Sequence, residues 1–213
     1  MSQYAADVVA LARKDLLIEL RTRDTLPAMV LFVVSALTVF HFALPGGSSA
    51  RAETGLLWIA ILFTGLLGLA RAFAAEREQG LLDGLVLAPS DRSAIWVGKT
   101  IGVSAFLVLA ELVALPAFAL FFHPVTWELI AAVALADVGI AAIGTLLAAI
   151  AAASRSRELL LPLLFLPLAI PVVIGGVGAS VAAHPGSFLG FLGLYDAVFA
   201  ILSWASFEYV VTE

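Results

Sequence analysis

Long apolar runs alternate with short polar stretches along the chain. A helix that crosses a bilayer needs about 20 mostly apolar residues. Six runs have about this length, at residues 27–44, 56–73, 101–122, 128–153, 159–183 and 188–211. The pattern predicts an all-α, polytopic membrane protein with six transmembrane helices, in which residues 1–213 form a single domain.

Composition excludes a soluble domain and narrows the possible chemistry. Hydrophobic residues make up 62% of the chain and charged residues 13%, whereas an ordinary soluble domain has about 25% charged residues. The chain has no cysteine, which excludes disulfides, thiolate metal sites and thiol catalysis. We expect a membrane protein and no nucleic-acid partner.

The positive charges lie mainly on one side of the predicted spans. Of the eleven Lys and Arg residues, ten precede the first span or lie around the 2–3 and 4–5 connections, and only Arg51 lies in the 1–2 connection. Because Lys and Arg accumulate on the cytoplasmic side, both termini are predicted to be cytoplasmic. In a bacterium this membrane is the inner membrane.

The first 26 residues are charged and mixed in composition, unlike a cleavable signal peptide. At 100° per residue, one face of a helix carries Ala5, Val9, Ala12, Leu16 and Leu20, and the opposite face carries Asp7, Lys14 and Arg21. Residues 4–22 are therefore predicted to form an amphipathic helix in the cytoplasmic interface. A soluble helix packed on the bundle is the alternative.

Two spans have unusual compositions. The fourth is rich in Ala and Gly, which predicts a position inside the bundle or at a subunit contact. The fifth contains Pro162, Pro167 and Pro171, which are predicted to kink its helix. The Gly-rich residues 174–190 that end it are predicted to break the helix, as a broken or re-entrant hairpin on the outer side.

Some polar residues within or beside the spans suggest function. Ionisable groups inside a membrane are costly, so Glu111, Asp137 and Asp196 are candidates for a proton or cation pathway, although neighbouring polar groups could equally satisfy them. Three histidines share the predicted outer side. Imidazole ligates haem iron, but histidine is also common at interfaces. They are His41, His123 and His184.

Gly98, Lys99 and Thr100 have the order that ends a phosphate-binding loop. The complete motif requires a glycine five residues before Gly98, where this chain has Ser93, and it follows a strand. We therefore expect that this chain does not bind ATP and that any ATPase is a separate subunit.

The predicted cytoplasmic connection between spans two and three contains a short apolar stripe, which Pro89 ends. Such a stripe favours docking of a helix into a partner's groove, and the alternative is that it folds back onto the bundle. The candidate coupling residues are Glu76, Glu78, Gly80, Leu81, Leu82, Leu85, Val86 and Pro89.

The run E-R-E-x-G-L-L-x-x-L-x-L-A-P, at residues 76–89, resembles the coupling segment of ABC-2-type exporter permeases. Residues 12–26, 143–152 and 154–176 further resemble the haem exporter protein B family, the permease subunit of the cytochrome c maturation ABC transporter. The resemblance extends from about Leu11 to about Val173.

This resemblance implies a non-enzymatic permease subunit of a haem exporter, required for haem delivery to the periplasm during c-type cytochrome biogenesis. The implied partners are a cytoplasmic ABC ATPase, other cytochrome c maturation membrane proteins, a periplasmic haem chaperone and a second copy of this chain. Haem would be the substrate of the complex, and no haem ligand is assigned to this chain. A lipid or drug permease and an ion-coupled secondary transporter remain alternatives.

The predicted topology can be tested by reporter fusions. Fusions at Ser49, Ser90, Pro124, Ser156 and Pro185 should report outside, inside, outside, inside and outside in turn, because the Lys and Arg distribution orients short connections. An outside signal at Ser90 or Ser156 would overturn the topology.

Overall fold

The computed structural model of the chain describes residues 3–74, 76, 91–154 and 156–212. These described residues contain seven α-helices and no strand. The helices are α1 (Gln3–Thr22), α2 (Thr25–Ala43), α3 (Ala50–Arg71), α4 (Arg92–Phe121), α5 (Trp127–Ala153), α6 (Arg157–Val181) and α7 (Pro185–Thr212).

The six predicted transmembrane helices are confirmed as α2 to α7, each long and apolar enough to cross a bilayer. Helix α5 lies inside the bundle, as its small residues predicted, and packs against α3, α4, α6 and α7. Its alanines and glycines allow the neighbouring helices to approach closely. At the α4 contact, the buried Trp96 indole N–H donates to the Ala142 carbonyl over 3.2 Å.

Helix α4 begins at Arg92, well before residue 101, where the apolar run predicted its start. The Asp91 carboxylate accepts a hydrogen bond from the Ser93 backbone N–H over 2.9 Å, which caps this end. The first turns of α4 therefore extend beyond the predicted membrane-crossing run, and α1 packs against them.

The Gly-rich end of the fifth span stays helical, contrary to the predicted break. Helix α6 continues through its three prolines and three glycines to Val181, and α7 begins at Pro185. A Cβ on Gly176 would lie 2.3 Å from Cζ2 of Trp58, and one on Gly178 would lie 2.3 Å from Cδ1 of Phe188. These glycines make room for aromatic rings from α3 and α7.

The predicted N-terminal helix is confirmed as α1, and Ala12 is the one residue of its predicted apolar face that is buried. Val8 and Ala12 are buried, together with Glu19, whereas Val9 and Leu20 are exposed. The Glu19 carboxylate accepts hydrogen bonds from the N–H groups of Thr25 (2.9 Å) and Leu26 (2.7 Å), which caps α2. Its place in the membrane interface stays a prediction.

The contact between Gly176 and Trp58 can be tested by adding one methyl group. Gly176→Ala should lower the free energy of unfolding by about 1–3 kcal/mol, because the Trp58 ring must move. That ring is also tied to α6, since its N–H donates to the Ser180 hydroxyl over 3.3 Å. Thermal unfolding in detergent measures the change.

Gly190→Ala is the matched control, because a Cβ at Gly190 meets no atom within 4 Å. It should leave stability unchanged or raise it by up to about 1 kcal/mol through helix propensity. Equal stability of the two variants would contradict the packing explanation.

Candidate functional site

A buried ion-pair network joins three segments at one end of the bundle. Its centre is Lys99 on α4, which is only 2% exposed. The Lys99 ammonium donates to Glu76 Oε1 over 2.6 Å and to the carbonyl of Ala72 over 2.7 Å. It also pairs with Asp15 Oδ2 of α1 at 3.1 Å. One ammonium group therefore links α1, α4 and the residues that follow α3.

A second cation completes the network. Lys14 Nζ lies 2.5 Å from Glu76 Oε1 and 3.4 Å from Asp15 Oδ1. Its side chain is 39% exposed, compared with 3% for Lys99. Two ammonium groups thus balance two carboxylates. Such balance matters because a buried charge without a partner is costly.

The charges of the network affect one another's pKa values. Burial raises the pKa of Asp15, against the effect of the nearby Lys99 and Lys14. Burial alone would also raise the pKa of Glu76, but Lys99 and Lys14 outweigh it and hold this pKa below its usual value. Burial lowers the pKa of Lys14, but bonding to Glu76 and the charge of Asp15 produce a net rise. Glu76 and Lys14 are therefore stabilised in their charged forms.

Gly98 allows α1 to approach α4 beside Lys99. A Cβ on Gly98 would lie 2.8 Å from Cβ of Leu11, whereas one on Gly102 would lie 3.6 Å from Asp15 Oδ2, which is an ordinary contact distance. The Gly98-Lys99 pair thus lies inside helix α4, where glycine admits a neighbouring helix and lysine neutralises buried carboxylates. This role explains the resemblance to a phosphate-binding loop.

The network holds the first residue of the predicted coupling segment. Glu76 is 4% exposed and is bonded to both ammonium groups. The other predicted coupling residues lie outside the described residues, and their role stays a prediction. They are Glu78, Gly80, Leu81, Leu82, Leu85, Val86 and Pro89.

The network was not predicted from the sequence. Lys14 and Lys99 served as topology signals, Lys14 was placed on the polar face of the N-terminal helix, and Lys99 was found in an incomplete phosphate-binding motif. Asp15 was not singled out. Asp15 and Lys99 are far apart in sequence, so no local motif marks their contact. One signal was present: Lys99 stands in the apolar run AIWVGKTIGV. A cation in such a run indicates a buried anionic partner.

The structure brings two of the three intramembrane acids together. Glu111 on α4 and Asp137 on α5 are both buried and lie close to each other. Asp196, on α7, packs against a different part of α5. A Cβ on Gly139 of α5 would lie 2.4 Å from Asp196 Oδ1. Glu111 Oε1 and both carboxylate oxygens of Asp137 and Asp196 have no hydrogen-bond partner within the described part of the chain. Their function stays a hypothesis.

The histidines do not form one ligand set in the described structure. The ring of His41 stacks on Phe121 at 5.3 Å between centroids, and His123 packs edge-on against Phe118 at 4.8 Å. The His123 Nε2 atom lies 3.2 Å from the Thr54 hydroxyl. Among the described residues, no group of three or more His, Cys, Asp or Glu side chains could hold a metal ion.

The sequence of this chain is similar to a known family of proteins. A family model described as "CcmB protein" matches residues 6–207. Heme exporter protein B of Rhodobacter capsulatus is 30% identical over 207 residues, covering 92% of this chain and 95% of the relative. Heme exporter protein B of Paracoccus denitrificans is 32% identical over 167 residues, covering 75% and 77%. The protein of the same name from Pseudomonas aeruginosa is 31% identical over 185 residues, covering 83% and 81%.

The family match also corrects the expected extent of the resemblance. The sequence motifs supported it only to about Val173, whereas the match continues to residue 207. The family match therefore includes most of the sequence of helix α7.

Removing the central cation should disrupt the network. Lys99→Met should lower the free energy of unfolding by about 3 kcal/mol, because Asp15 and Glu76 lose their buried partner. Lys14→Met is the matched control and should cost less than about 1 kcal/mol, since Lys14 is partly solvated. Thermal unfolding in detergent compares them.

A second substitution tests whether charge is the cause. Adding Glu76→Gln to Lys99→Met should restore part of the lost stability, because one unpaired carboxylate is removed. Equal stability of Lys99→Met and Lys14→Met would contradict the central role of Lys99.

Proposed function

Because the chain belongs to the CcmB family, we propose that it is the permease subunit of an ABC-type haem exporter complex, required for haem delivery to the periplasm during c-type cytochrome biogenesis. The observation that carries the proposal is the match over residues 6–207 to a family whose curated relatives are named heme exporter protein B. Six apolar helices of spanning length support the permease role.

The subunit itself performs no covalent chemistry. A separate cytoplasmic ATPase binds and hydrolyses ATP, and residues 76–89 dock it. The chain lies in the bacterial inner membrane with both termini in the cytoplasm, as its Lys and Arg distribution supports. Its further partners are other cytochrome c maturation membrane proteins, a periplasmic haem chaperone and a second copy of this chain.

The ion-pair network provides the mechanical link for this role. Movement of the docked segment acts first on Glu76, whose carboxylate is bonded to Lys14 of α1 and Lys99 of α4. The same Lys99 ammonium holds the Ala72 carbonyl at the end of α3. An ATP-driven displacement of the segment is thereby distributed over three helices.

Two other functions compete with this proposal. A lipid or drug permease would share the coupling segment, but the curated relatives' names favour haem export. An ion-coupled transporter would use the intramembrane acids, and the burial of Glu111 and Asp137 close to each other is the observation in its favour. Co-purification of a P-loop ATPase with this chain would exclude the ion-coupled function.

The docking step can be tested at Leu85. Leu85→Glu should lower ATPase co-purification by about ten-fold or more, since burying one Leu contributes about 1.5–3 kcal/mol. Cytochrome c assembly should fall with it, while membrane insertion stays normal. Both are measured in membranes that contain equal amounts of the permease.

Arg51→Glu is the control, because Arg51 lies on the predicted outer side, and it should change neither measurement. If Leu85→Glu destabilises the permease while the ATPase still binds, the segment packs on its own bundle. Docking would then lie elsewhere, with the connection that contains Arg155 and Arg157 as the next candidate.

A further inference from the structure

A cleft with apolar walls opens between α3, α5 and α6, near the ion-pair network. Its volume is about 320 Å³. Two polar side chains, Arg71 and Glu158, also line it. The principal apolar lining residues are Leu66, Leu69, Phe73, Ala148, Ala151 and Leu161.

The cleft results from the side-chain sizes on α5. Helices α3 and α5 touch at Gly144, where a Cβ would lie 2.3 Å from Cδ1 of Leu69. One and two turns further along α5, Ala148 and Ala151 face the same side, and their side chains leave the space unfilled. Since water is absent from the hydrocarbon region, an open apolar space there is filled by lipid or protein.

The two charged side chains of the cleft have opposite signs. Arg71 ends α3 and Glu158 begins α6, and both are exposed. Within the described residues, no ion pair or hydrogen bond involves either side chain. Pro162 also lines the cleft, and because it has no N–H, the Glu158 carbonyl lacks the donor that residue 162 would ordinarily supply.

We propose that this cleft binds a zwitterionic phospholipid with a primary ammonium group, of the phosphatidylethanolamine class. The acyl chains lie along the apolar walls, and the phosphate pairs with Arg71. The ammonium group bonds the carboxylate and the backbone carbonyl of Glu158. Charge complementarity selects this occupant, because an anionic lipid would leave Glu158 without a cation. The proposal does not depend on haem export.

Native mass spectrometry of the purified full-length chain tests the proposal with two lipids that carry identical acyl chains. Phosphatidylethanolamine should bind about ten-fold more tightly than phosphatidylglycerol, which has no ammonium group. Glu158→Gln should remove this preference by weakening only phosphatidylethanolamine. Arg71→Gln should weaken both lipids by about ten-fold, because both carry the phosphate.

Two more variants separate the cleft from general lipid adhesion. Ala152→Leu adds volume to the cleft wall and should weaken both lipids without changing their ratio. Arg51→Gln, at the far end of α3, should change neither. Equal binding of the two lipids by the unaltered protein would overturn the proposal. A second outcome would also overturn the proposal: Ala152→Leu leaves lipid binding unchanged but abolishes binding of a second copy of the chain or of the ATPase. A protein would then occupy the cleft.

Discussion

Close contact between helices at the small residues of α5 is the constraint on which the bundle depends. Inside a bilayer, helix association rests on van der Waals packing and a few polar contacts, because there is no water to exclude. At Gly144, α5 receives Leu69 of α3, and at Gly139 it receives Asp196 of α7, at distances that leave no room for a Cβ. Glycine at position 144 therefore makes the close approach of α3 possible, and glycine at position 139 leaves space for the Asp196 carboxylate beside α5.

Helix α3 connects this apolar centre with the charged end of the molecule. Leu69 packs at Gly144, the carbonyl of Ala72 accepts a hydrogen bond from Lys99, and Glu76 pairs with the same ammonium. Glu76 is thus only seven residues from Leu69, so a movement of Glu76 is transmitted directly to the core contact at Gly144. The fold needs no long chain of contacts between the proposed ATPase-docking segment and the membrane helices, because α3 takes part in both regions.

The six spans could be predicted because a membrane helix satisfies its backbone hydrogen bonds within itself, so run length and composition suffice. The continuation of α6 to Val181 could not be predicted from the sequence, because Gly175 and Gly176 predict a break in the helix when judged by helix propensity alone. Their effect here depends on neighbours, since Trp58 occupies the space that a side chain on Gly176 would need. The start of α4 depends on an Asp91 cap and on contact with α1, neither of which an apolar run reveals.

Two residues of the candidate site have a signal in the sequence: Glu76 lies in a local motif, and Lys99 stands in an apolar run. The partners of Glu76 come from α1 and α4, and their contact arises only in the folded bundle. Residues 71–76 connect this network with the cleft proposed to bind lipid, because Arg71, which lines the cleft, directly precedes Ala72. A lipid bound in the cleft could favour one position of the end of α3. By thermodynamic linkage, the lipid would then bind more tightly when the docked segment holds the end of α3 in that same position. The membrane surface and the ATPase would then act on one helix end, and the strength of their coupling would be set by the rigidity of the Lys99 contacts.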